Sequence, residues 1–392
     1  MTEQIVFCCG MFRSGTTLLG RVLNAHPAMS VESDPFLNFF KVLRSDIAAS
    51  IGLERPCAAP IGDYYFSRDE LKLLAAVREV RLDRLSNKWE RPDLWSFVRR
   101  HGQPYAPRTM ARLDEVEGNT YQELLRGLFR LTAAPDAEVC GVKEVWIDEF
   151  IPAMAAAFPG MKFIEIVRDP RAVCASKNVK PEKYPWLFLC RQWRKLAALA
   201  WSHANEWKSL AGRVLLVRYE DLVREPEAEI RRMTDFLEVR FAPEMLDSGN
   251  YVGGDGGLWL QNSSYASDTG AVNRSSLEKW QTALTAEQIA FIESLCEPEM
   301  RLLGYASVVP TAIDGAMQRL SPPCIAEDDL APWIRKQYPS SLIDTAAELA
   351  KEQLRADLLH FSAADRSKVD AGLIDAAFLS RPLFNAVADR QR

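Results

Sequence analysis

The sequence predicts an α/β protein with three layers, in which a central parallel sheet lies between helices, followed by a helical C-terminal extension. Two observations support this fold class. Between the N-terminus and about residue 305, short apolar runs alternate with longer amphipathic segments, as in parallel strands joined by helices. Near the C-terminus the apolar residues recur at helical spacing instead.

The first predicted strand is the apolar run Ile5–Cys9, which suits a buried parallel strand. It leads into CCGMFRSGTTLLGRVLNAHP, residues 8–27, where Gly10 and Gly15 bracket four residues. The apolar residues that follow the loop share one helical face, and Pro27 ends the helix. A strand, a glycine-bounded loop and a helix start together direct backbone N–H groups toward an anion.

This loop has the spacing of the G-x-x-x-x-G-K-[ST] loop but lacks its lysine. Thr16 and Thr17 follow Gly15 directly, and Arg13 lies inside the loop. In triphosphatases the lysine spans the β- and γ-phosphates, and the Ser/Thr holds magnesium. The sequence therefore predicts a P-loop-like fold that binds an anion other than a nucleoside triphosphate.

The remaining elements complete the alternation. In order, they are a helix over about 35–50, a strand running into a helix over 138–147, a buried strand at 163–167, a helix over roughly 184–210, a strand in 213–222 and a helix over about 285–303. Asp169 is expected to cap a helix that starts at Pro170. We expect a main domain over 1–310, with an aromatic-rich helical insertion at 51–135 that either caps a site or forms a core layer, and a helical extension over 311–392.

Composition excludes several classes of protein. A net charge of −5 argues against a nucleic-acid partner. The eight cysteines contain no C-x-x-C pair, and none of the four histidines pairs with another at metal-ligand spacing, so we expect no metal site. No apolar run reaches the length of a membrane span, and no signal-peptide pattern is present. We therefore expect a cytoplasmic protein with no membrane partner.

Two ordered segments resemble sulfotransferases that use 3′-phosphoadenosine-5′-phosphosulfate (PAPS). GMFRSGTTLLGRVLNAHP is similar to their 5′-phosphosulfate loop, and IVRDPRAVCAS is similar to their 3′-phosphate motif. RYEDL and the later NSSY…NRSSLEKW also resemble segments of that family. The resemblance covers roughly residues 4–305, and it implies transfer of a sulfuryl group from PAPS, leaving adenosine 3′,5′-bisphosphate (PAP), with no metal.

The resemblance also implies a set of donor-binding residues. The 5′-phosphosulfate would be held by loop residues, and these are Arg13, Ser14, Gly15, Thr16 and Thr17. Arg168 and Ser176 would hold the 3′-phosphate, with Arg274 as a later contact, and Tyr219 would lie near the adenine. Ser264 would approach the sulfuryl or leaving group. Negative charge grows on the departing phosphate oxygen during transfer, so Arg13 and Lys143 would stabilise the transition state.

The general base is expected to be a carboxylate in SVESDPF. The histidine that cytosolic phenol and steroid sulfotransferases carry two positions after the central lysine is replaced here by Val145. The chain looks more like the tyrosylprotein and bacterial small-molecule enzymes, which use a carboxylate shortly after the His-Pro. Glu32 and Asp34 are the candidates. Asp34 lies eight residues after His26, where those enzymes usually place their base, whereas Glu32 has the side chain that they use. Asp34 also suits the cap of a helix starting at Pro35, and Glu32 is therefore favoured narrowly.

The acceptor and the assembly stay open at this point. Compartment and aromatic content favour a small, partly apolar molecule that offers a hydroxyl or an amine, although a sugar hydroxyl is equally compatible. The alternatives to a sulfotransferase are a P-loop kinase for a small metabolite and a non-catalytic PAP-binding protein. We expect the C-terminal helices to pack against the core or against a second subunit, which would make a homodimer.

Overall fold

A computed structural model describes residues 4–53, 68–176, 184, 186–253, 256–257, 274–308 and 345–390. The chain divides into two compact units. The first comprises Met1–Pro60, Ala75–Arg168 and His203–Arg274, and the second comprises Ile61–Leu74, Asp169–Ser202 and Ser275–Arg392.

Five parallel strands form the sheet of the first unit. They are β1 Gln4–Gly10, β2 Met29–Ser33, β3 Val139–Lys143, β4 Lys162–Val167 and β5 Val214–Arg218. The spatial order is β2-β3-β1-β4-β5, so β1 is central and is hydrogen-bonded on both sides. The sheet order reverses beside β1, and in such sheets ligands bind beyond the carboxyl ends of the strands at that switch point.

Helices connect and follow the strands. They are α1 Thr16–Asn24, α2 Leu37–Ser50, α3 Arg68–Glu79, α4 Arg91–Gly102, α5 Pro107–Ala111, α6 Tyr121–Leu131, α7 Ile151–Ala157, α8 Pro170–Cys174, α9 Trp186–Asn205, α10 Tyr219–Arg224, α11 Pro226–Phe236, α12 Lys279–Ala283, α13 Ala286–Leu302, α14 Thr345–Leu359, α15 Ala363–Arg366, α16 Ala371–Phe378 and α17 Arg381–Asp389. The predicted three-layer α/β fold with a helical C-terminal extension is confirmed.

Aromatic packing anchors the sheet of the first unit. The ring of Phe7, at the centre of β1, meets the rings of Phe40, Phe129 and Phe163 edge-on at centroid distances of 5.8, 6.5 and 6.3 Å. These residues come from α2, α6 and β4, so one cluster joins both flanking helices to two strands. Edge-to-face ring pairs add about 0.5–1.5 kcal/mol each to the burial of apolar surface.

Buried ion pairs organise the second unit. Arg171 donates to Asp169 and to Glu293 of α13 at 2.6 Å each, and its guanidinium lies 4.0 Å from the centroid of the Trp280 ring. Further along, Arg194 of α9 donates to Glu352 of α14 at 2.5 Å. The C-terminal helices α14 and α17 pack on each other, and α17 packs on α13.

Some predicted elements differ from the observed ones. The edge strand β2 was not predicted, because Ser30, Glu32 and Ser33 interrupt its apolar pattern. The strand predicted at 213–222 ends at Arg218, where α10 begins. The predicted cap of α2 is wrong: α2 begins at Leu37 with Phe36 as its N-cap, and Asp34 is not the cap.

Other expectations hold or lie outside the described residues. Asp169 caps α8 as predicted, and its carboxylate accepts from the Arg171 N–H at 2.9 Å. The predicted boundary near 310 falls among residues 309–344, which are not described, so the division into 1–310 and 311–392 stays a prediction. Within the described chain, no helix has the length and apolar character needed to cross a bilayer. All six described cysteines are buried and carry free thiols.

Candidate active site

The loop between β1 and α1 is shaped by two glycines with positive φ. At Gly10 (φ 152°) an added Cβ would lie 2.3 Å from the carbonyl oxygen of Ile166 in β4. At Gly15 (φ 92°) the backbone is left-handed, and Gly15 forms the N-cap of α1 without any side-chain cap. The first N–H groups of α1 are therefore left for an external acceptor, as helix starts that bind anions require.

Ser14 supplies a hydroxyl suited to the same anion. Its Oγ is buried and has no hydrogen-bond partner in the described part of the chain. Its backbone N–H donates to the carbonyl of Met11 at 3.1 Å, which curls the loop. Thr16 is buried and Thr17 half-buried beside it. A buried polar atom without a partner is costly, so this loop fits a bound phosphate or sulfate group.

Two arginines converge beside this loop. Arg168, which follows β4, donates to the carbonyl oxygen of Arg13 at 3.0 Å. Arg13 has a left-handed backbone with φ 66°. Burial lowers the pKa of the Arg13 guanidinium, and the positive charge of Arg168 lowers it further. Two like charges held close together in a partly buried site favour the binding of anionic groups beside them.

Tyr219 completes this wall of the site. Its ring lies against Gly15, where an added Cβ would be 2.3 Å from its Cδ2. The guanidinium of Arg168 lies 4.1 Å from the centroid of the same ring. Cation–π contact thus holds Arg168 in place. The structure puts Tyr219 beside the loop, and the predicted proximity to an adenine stays a prediction.

Lys143 and Asp34 meet at the carboxyl ends of β3 and β2. The Lys143 side chain is 1% exposed, and its Nζ donates to Asp34 Oδ2. The N–H of Asp34 donates to the carbonyl of Lys143 at 2.6 Å. Asp34 itself has φ 52°, an uncommon value for a residue other than glycine. Both residues were predicted from the sequence as site residues, but their ion pair was not predicted.

Glu32 lies on β2, two residues before Asp34, in a different environment. Its Oε1 accepts from the hydroxyl of Thr109 in α5 at 2.6 Å, and its Oε2 is buried without a partner among the described residues. Burial raises the pKa of Glu32, against the opposing effects of Thr109 and Arg108. Thr109 and Arg108 belong to the predicted insertion, and sequence reasoning did not single them out.

Glu144 and His101 are two further polar groups at this end of the sheet; the sequence marked the stretch Lys143–Glu144 as a candidate site without giving Glu144 a role, and it did not single out His101. Glu144 is fully buried, and its Oε1 accepts from the N–H of Phe36. The Nε2 of His101, in α4, is buried without a partner in the described chain. Burial and Lys41 lower the pKa of His101. The position of Glu144 directly after a buried strand was the sequence signal for a place at this site. No local pattern distinguished His101.

Three other predicted residues have the following positions. Ser176 lies in the second unit just after α8, where its N–H donates to the carbonyl of Val173 at 3.2 Å. Arg274, in the first unit, donates to the carbonyl of Arg224 at 2.6 Å. Ser264 lies outside the described residues. The roles of these three residues stay predictions.

One group of side chains in the described chain has the composition of a metal site. Ligand atoms of Cys9, Asp148 and Glu165 lie within 4.8 Å of one another, and His203 Nδ1 lies 3.1 Å from both Glu165 oxygens. Burial raises the pKa of Asp148 to about 7 and raises that of Glu165 well above its ordinary value. Burial also lowers the pKa of His203 to about 3. These side chains offer ligand atoms to a metal ion, so the predicted absence of a metal site stays a prediction.

Comparison with known proteins agrees with this arrangement. A sequence model described as "Sulfotransferase family" matches residues 5–243. A Caenorhabditis briggsae protein named "Putative protein-tyrosine sulfotransferase" is 23% identical over 313 residues, covering 77% of this chain and 89% of that protein. Carbohydrate sulfotransferase 2 of Homo sapiens is 39% identical over 369 residues, covering 78% and 66%.

Other relatives match over shorter stretches or in fold. Against carbohydrate sulfotransferase 3 of Tetronarce californica, the chain spans 47% of that protein's length at 28% identity. Among solved structures, the sulfotransferase domain from the Synechococcus PCC 7002 olefin synthase has a TM-score of 0.47 at 18% identity, covering 77% of this chain and 94% of that domain. The family match includes the loop, both carboxylate candidates, Lys143, Arg168 and Tyr219. The chain belongs to the sulfotransferase family.

Proposed function

We propose that this protein transfers a sulfuryl group from PAPS to a hydroxyl or amine of a small-molecule acceptor. The observation that carries the proposal is the convergence of Arg13 and Arg168 at an uncapped helix start, in a loop that lacks the lysine of triphosphatases. A phosphosulfate needs N–H donors, hydroxyls and cations, all of which this loop offers.

The donor would be held at its 5′ end by the loop. The first N–H groups of α1 and the hydroxyls of Ser14, Thr16 and Thr17 would donate to the phosphosulfate, and Arg13 would add charge. Bound PAPS supplies the activated sulfuryl group and a phosphate leaving group. Arg168, which donates to the Arg13 carbonyl and lies over the Tyr219 ring, is our candidate for the 3′-phosphate, since an arginine fork suits that anion.

Lys143 and Asp34 would carry the chemistry on the acceptor side. Lys143 is a buried cation at the end of β3, next to the strand whose loop binds the donor. Its positive charge can stabilise the negative charge that develops on the leaving oxygen. Asp34 would accept the proton of the acceptor as the new bond forms, which requires an approach of about 2.6–3.2 Å.

Asp34 is a better candidate for the base than Glu32. The argument that favoured Glu32 depended in part on Asp34 capping α2, and Asp34 instead contacts Lys143. Asp34 lies against the proposed catalytic cation, whereas burial raises the pKa of Glu32 and Thr109 already occupies one of the Glu32 oxygens. Glu32 is the alternative base.

The proposal of a small-molecule acceptor rests on aromatic side chains that follow β1 and β3 and on two rings of the insertion near Asp34. The rings of Phe12 and Trp146 lie 4.5 Å apart, and those of His101 and Tyr105 lie 5.3 Å apart. Aromatic walls suit a flat or partly apolar acceptor. The relatives are named for protein tyrosine and for carbohydrate, so both classes belong in an acceptor screen. A cytoplasmic location stays a prediction.

Calorimetry tests the donor assignment directly. We expect PAP to bind equally well with EDTA and with magnesium, and AMP to bind at least about tenfold more weakly, because one charged hydrogen bond to the 3′-phosphate contributes ~1.5–3 kcal/mol. Tight binding of ATP with magnesium would instead support a kinase. PAP binding without PAPS turnover on any phenol, sugar, amine or peptide acceptor would indicate a non-catalytic binder.

A further inference from the structure

The turn that carries Asp34 is held by three contacts from the end of β3. The N–H of Asp34 donates to the carbonyl of Lys143 at 2.6 Å, and the Asp34 carboxylate accepts from Lys143 Nζ. Two residues further, the N–H of Phe36 donates to Glu144 Oε1. Two consecutive residues at the end of β3, Lys143 and Glu144, therefore bind the first and the last residue of the turn 34–36.

The contact from Glu144 replaces a missing local cap. Phe36 is the N-cap residue of α2, and its side chain cannot accept a hydrogen bond. The first N–H groups of a helix need partners, and a capping interaction contributes about 0.5–2 kcal/mol. Glu144 supplies this acceptor from a different element, 108 residues away in the sequence.

The turn is also confined from its other side. At Gly102, the last residue of α4, an added Cβ would lie 2.5 Å from the carbonyl oxygen of Pro35. Pro35 lies between Asp34 and Phe36, so the backbone of α4 closes over the middle of the turn. With φ 52° at Asp34, this backbone conformation needs external support.

We propose that Glu144 is a positioning residue for the base: by capping α2 at Phe36 it fixes the turn that aims the Asp34 carboxylate at Lys143 and at the acceptor. The inference rests on the proposed function, since it concerns the same reaction. Removing the acceptor at Glu144 frees the Phe36 N–H and lets the strained turn relax.

The charge at this site is consistent with a neutral Glu144. Burial and the negative charge of Asp34 raise the pKa of Glu144 well above its ordinary value, against the opposing effects of the Phe36 N–H, Lys143 and Lys41. A protonated Glu144 still offers an oxygen to Phe36, and it does not compete with Asp34 for the charge of Lys143. A neutral amide at this position should therefore serve equally well.

Two variants test the proposal. Glu144→Gln keeps an acceptor oxygen for Phe36, and we expect kcat within about threefold of wild type. Glu144→Leu removes it, and we expect kcat to fall at least about tenfold while the Kd for PAP stays within a few-fold. Turnover is followed as PAP release from PAPS with a panel of phenols, sugars and amino alcohols. Glu149→Gln is the control for general damage to α2, because it weakens a buried pair between Glu149 and Arg44 of that helix.

Two readouts separate positioning from general damage. In an Asp34→Asn background, Glu144→Leu should have little further effect on kcat, since the group it positions is gone. Hydrogen exchange of the peptide containing Phe36 should accelerate in Glu144→Leu and not in Glu144→Gln or Glu149→Gln. Additive losses of kcat, or unchanged exchange at Phe36, would overturn the inference. A wild-type protein that neither binds PAP nor turns over PAPS would instead overturn the proposed function, and the exchange result would still decide the role of Glu144.

Discussion

The ring of Tyr219 packs directly on Gly15, so the first residue of α10 bounds the loop that follows β1. The same ring lies under the guanidinium of Arg168. One tyrosine thus sets the distance between the loop and the arginine proposed for the 3′-phosphate.

Gly15→Ala should weaken donor binding. The new methyl group would lie 2.3 Å from Tyr219, in a backbone region that side chains avoid, so both the ring and the loop must shift. We expect PAP affinity to fall by at least about tenfold, measured by calorimetry. Gly52→Ala is the control, because Gly52 has φ 78° but nothing within 4 Å of the added carbon. Equal PAP affinity in the two variants would contradict this account.

Asp34→Asn should lower kcat by ~10²–10⁴ and leave PAP affinity within a few-fold, because it removes the proposed base. Glu32→Gln keeps the hydrogen bond from Thr109 and should retain most of the activity. Steady-state kinetics on both variants, with melting temperatures, decides between them. The opposite pattern would transfer the role of base to Glu32.

The buried cluster around Glu165 should give two opposite pH dependences of stability. The pKa of Asp148 is raised to about 7, so the folded state holds its proton and this contribution to stability falls as pH rises from about 4 to 7. The pKa of His203 is lowered to about 3, so its contribution rises with pH from about 3 to 6.5. The two trends partly cancel in the wild type.

Single variants should separate these trends. Asp148→Asn leaves the histidine, so the free energy of unfolding should increase with pH between about 4 and 6.5 more steeply than in the wild type. His203→Asn leaves the Asp148 carboxyl, so the free energy of unfolding should decrease as pH rises. Urea denaturation across this range measures both slopes, and parallel profiles in the two variants would show that these groups do not titrate as described.

Glu352→Ala should be strongly destabilising. The residue accepts from Arg191 and Arg194 in a fully buried site, where these charges outweigh desolvation and lower the pKa of Glu352 to about 2. Removing it takes the carboxylate away from two buried guanidiniums, at a cost of about 3–5 kcal/mol. Glu115→Ala breaks the exposed pair with Arg112 and should change the melting temperature little. Similar melting temperatures would contradict the role of the buried pairs.

Dimerisation through the C-terminal helices stays a prediction. Leu354 and Phe361 are 39% and 40% exposed, and they could pack against a second copy. We expect a Leu354→Asp, Phe361→Asp double variant to sediment as a monomer, and a wild type that is monomeric at all concentrations would rule out the dimer.

Local patterns in the sequence predicted the first strand, the loop and α1, since Ile5–Cys9 and Gly15 carry their own conformational signals. The cap at Asp169 was equally local. The pairing of Lys143 with Asp34 joins residues 109 positions apart, and no periodicity encodes it. The strand β2 was not predicted because it also depends on a distant contact: its stability comes from pairing with β3 and not from its own composition.

The burial of the cysteines has a practical consequence. The six described thiols lie inside the two units, and burial raises the pKa of several of them, including Cys8, Cys9, Cys190 and Cys296. Thiolates react and thiols hardly do, so these groups should resist a maleimide dye in the native protein. Of the eight cysteines, only Cys57 and Cys324 lie outside the described residues. Labelling beyond two equivalents per chain would therefore report the opening of one of the two units. The rate of this labelling would give the rate of opening, and peptide mapping would identify the unit that opened.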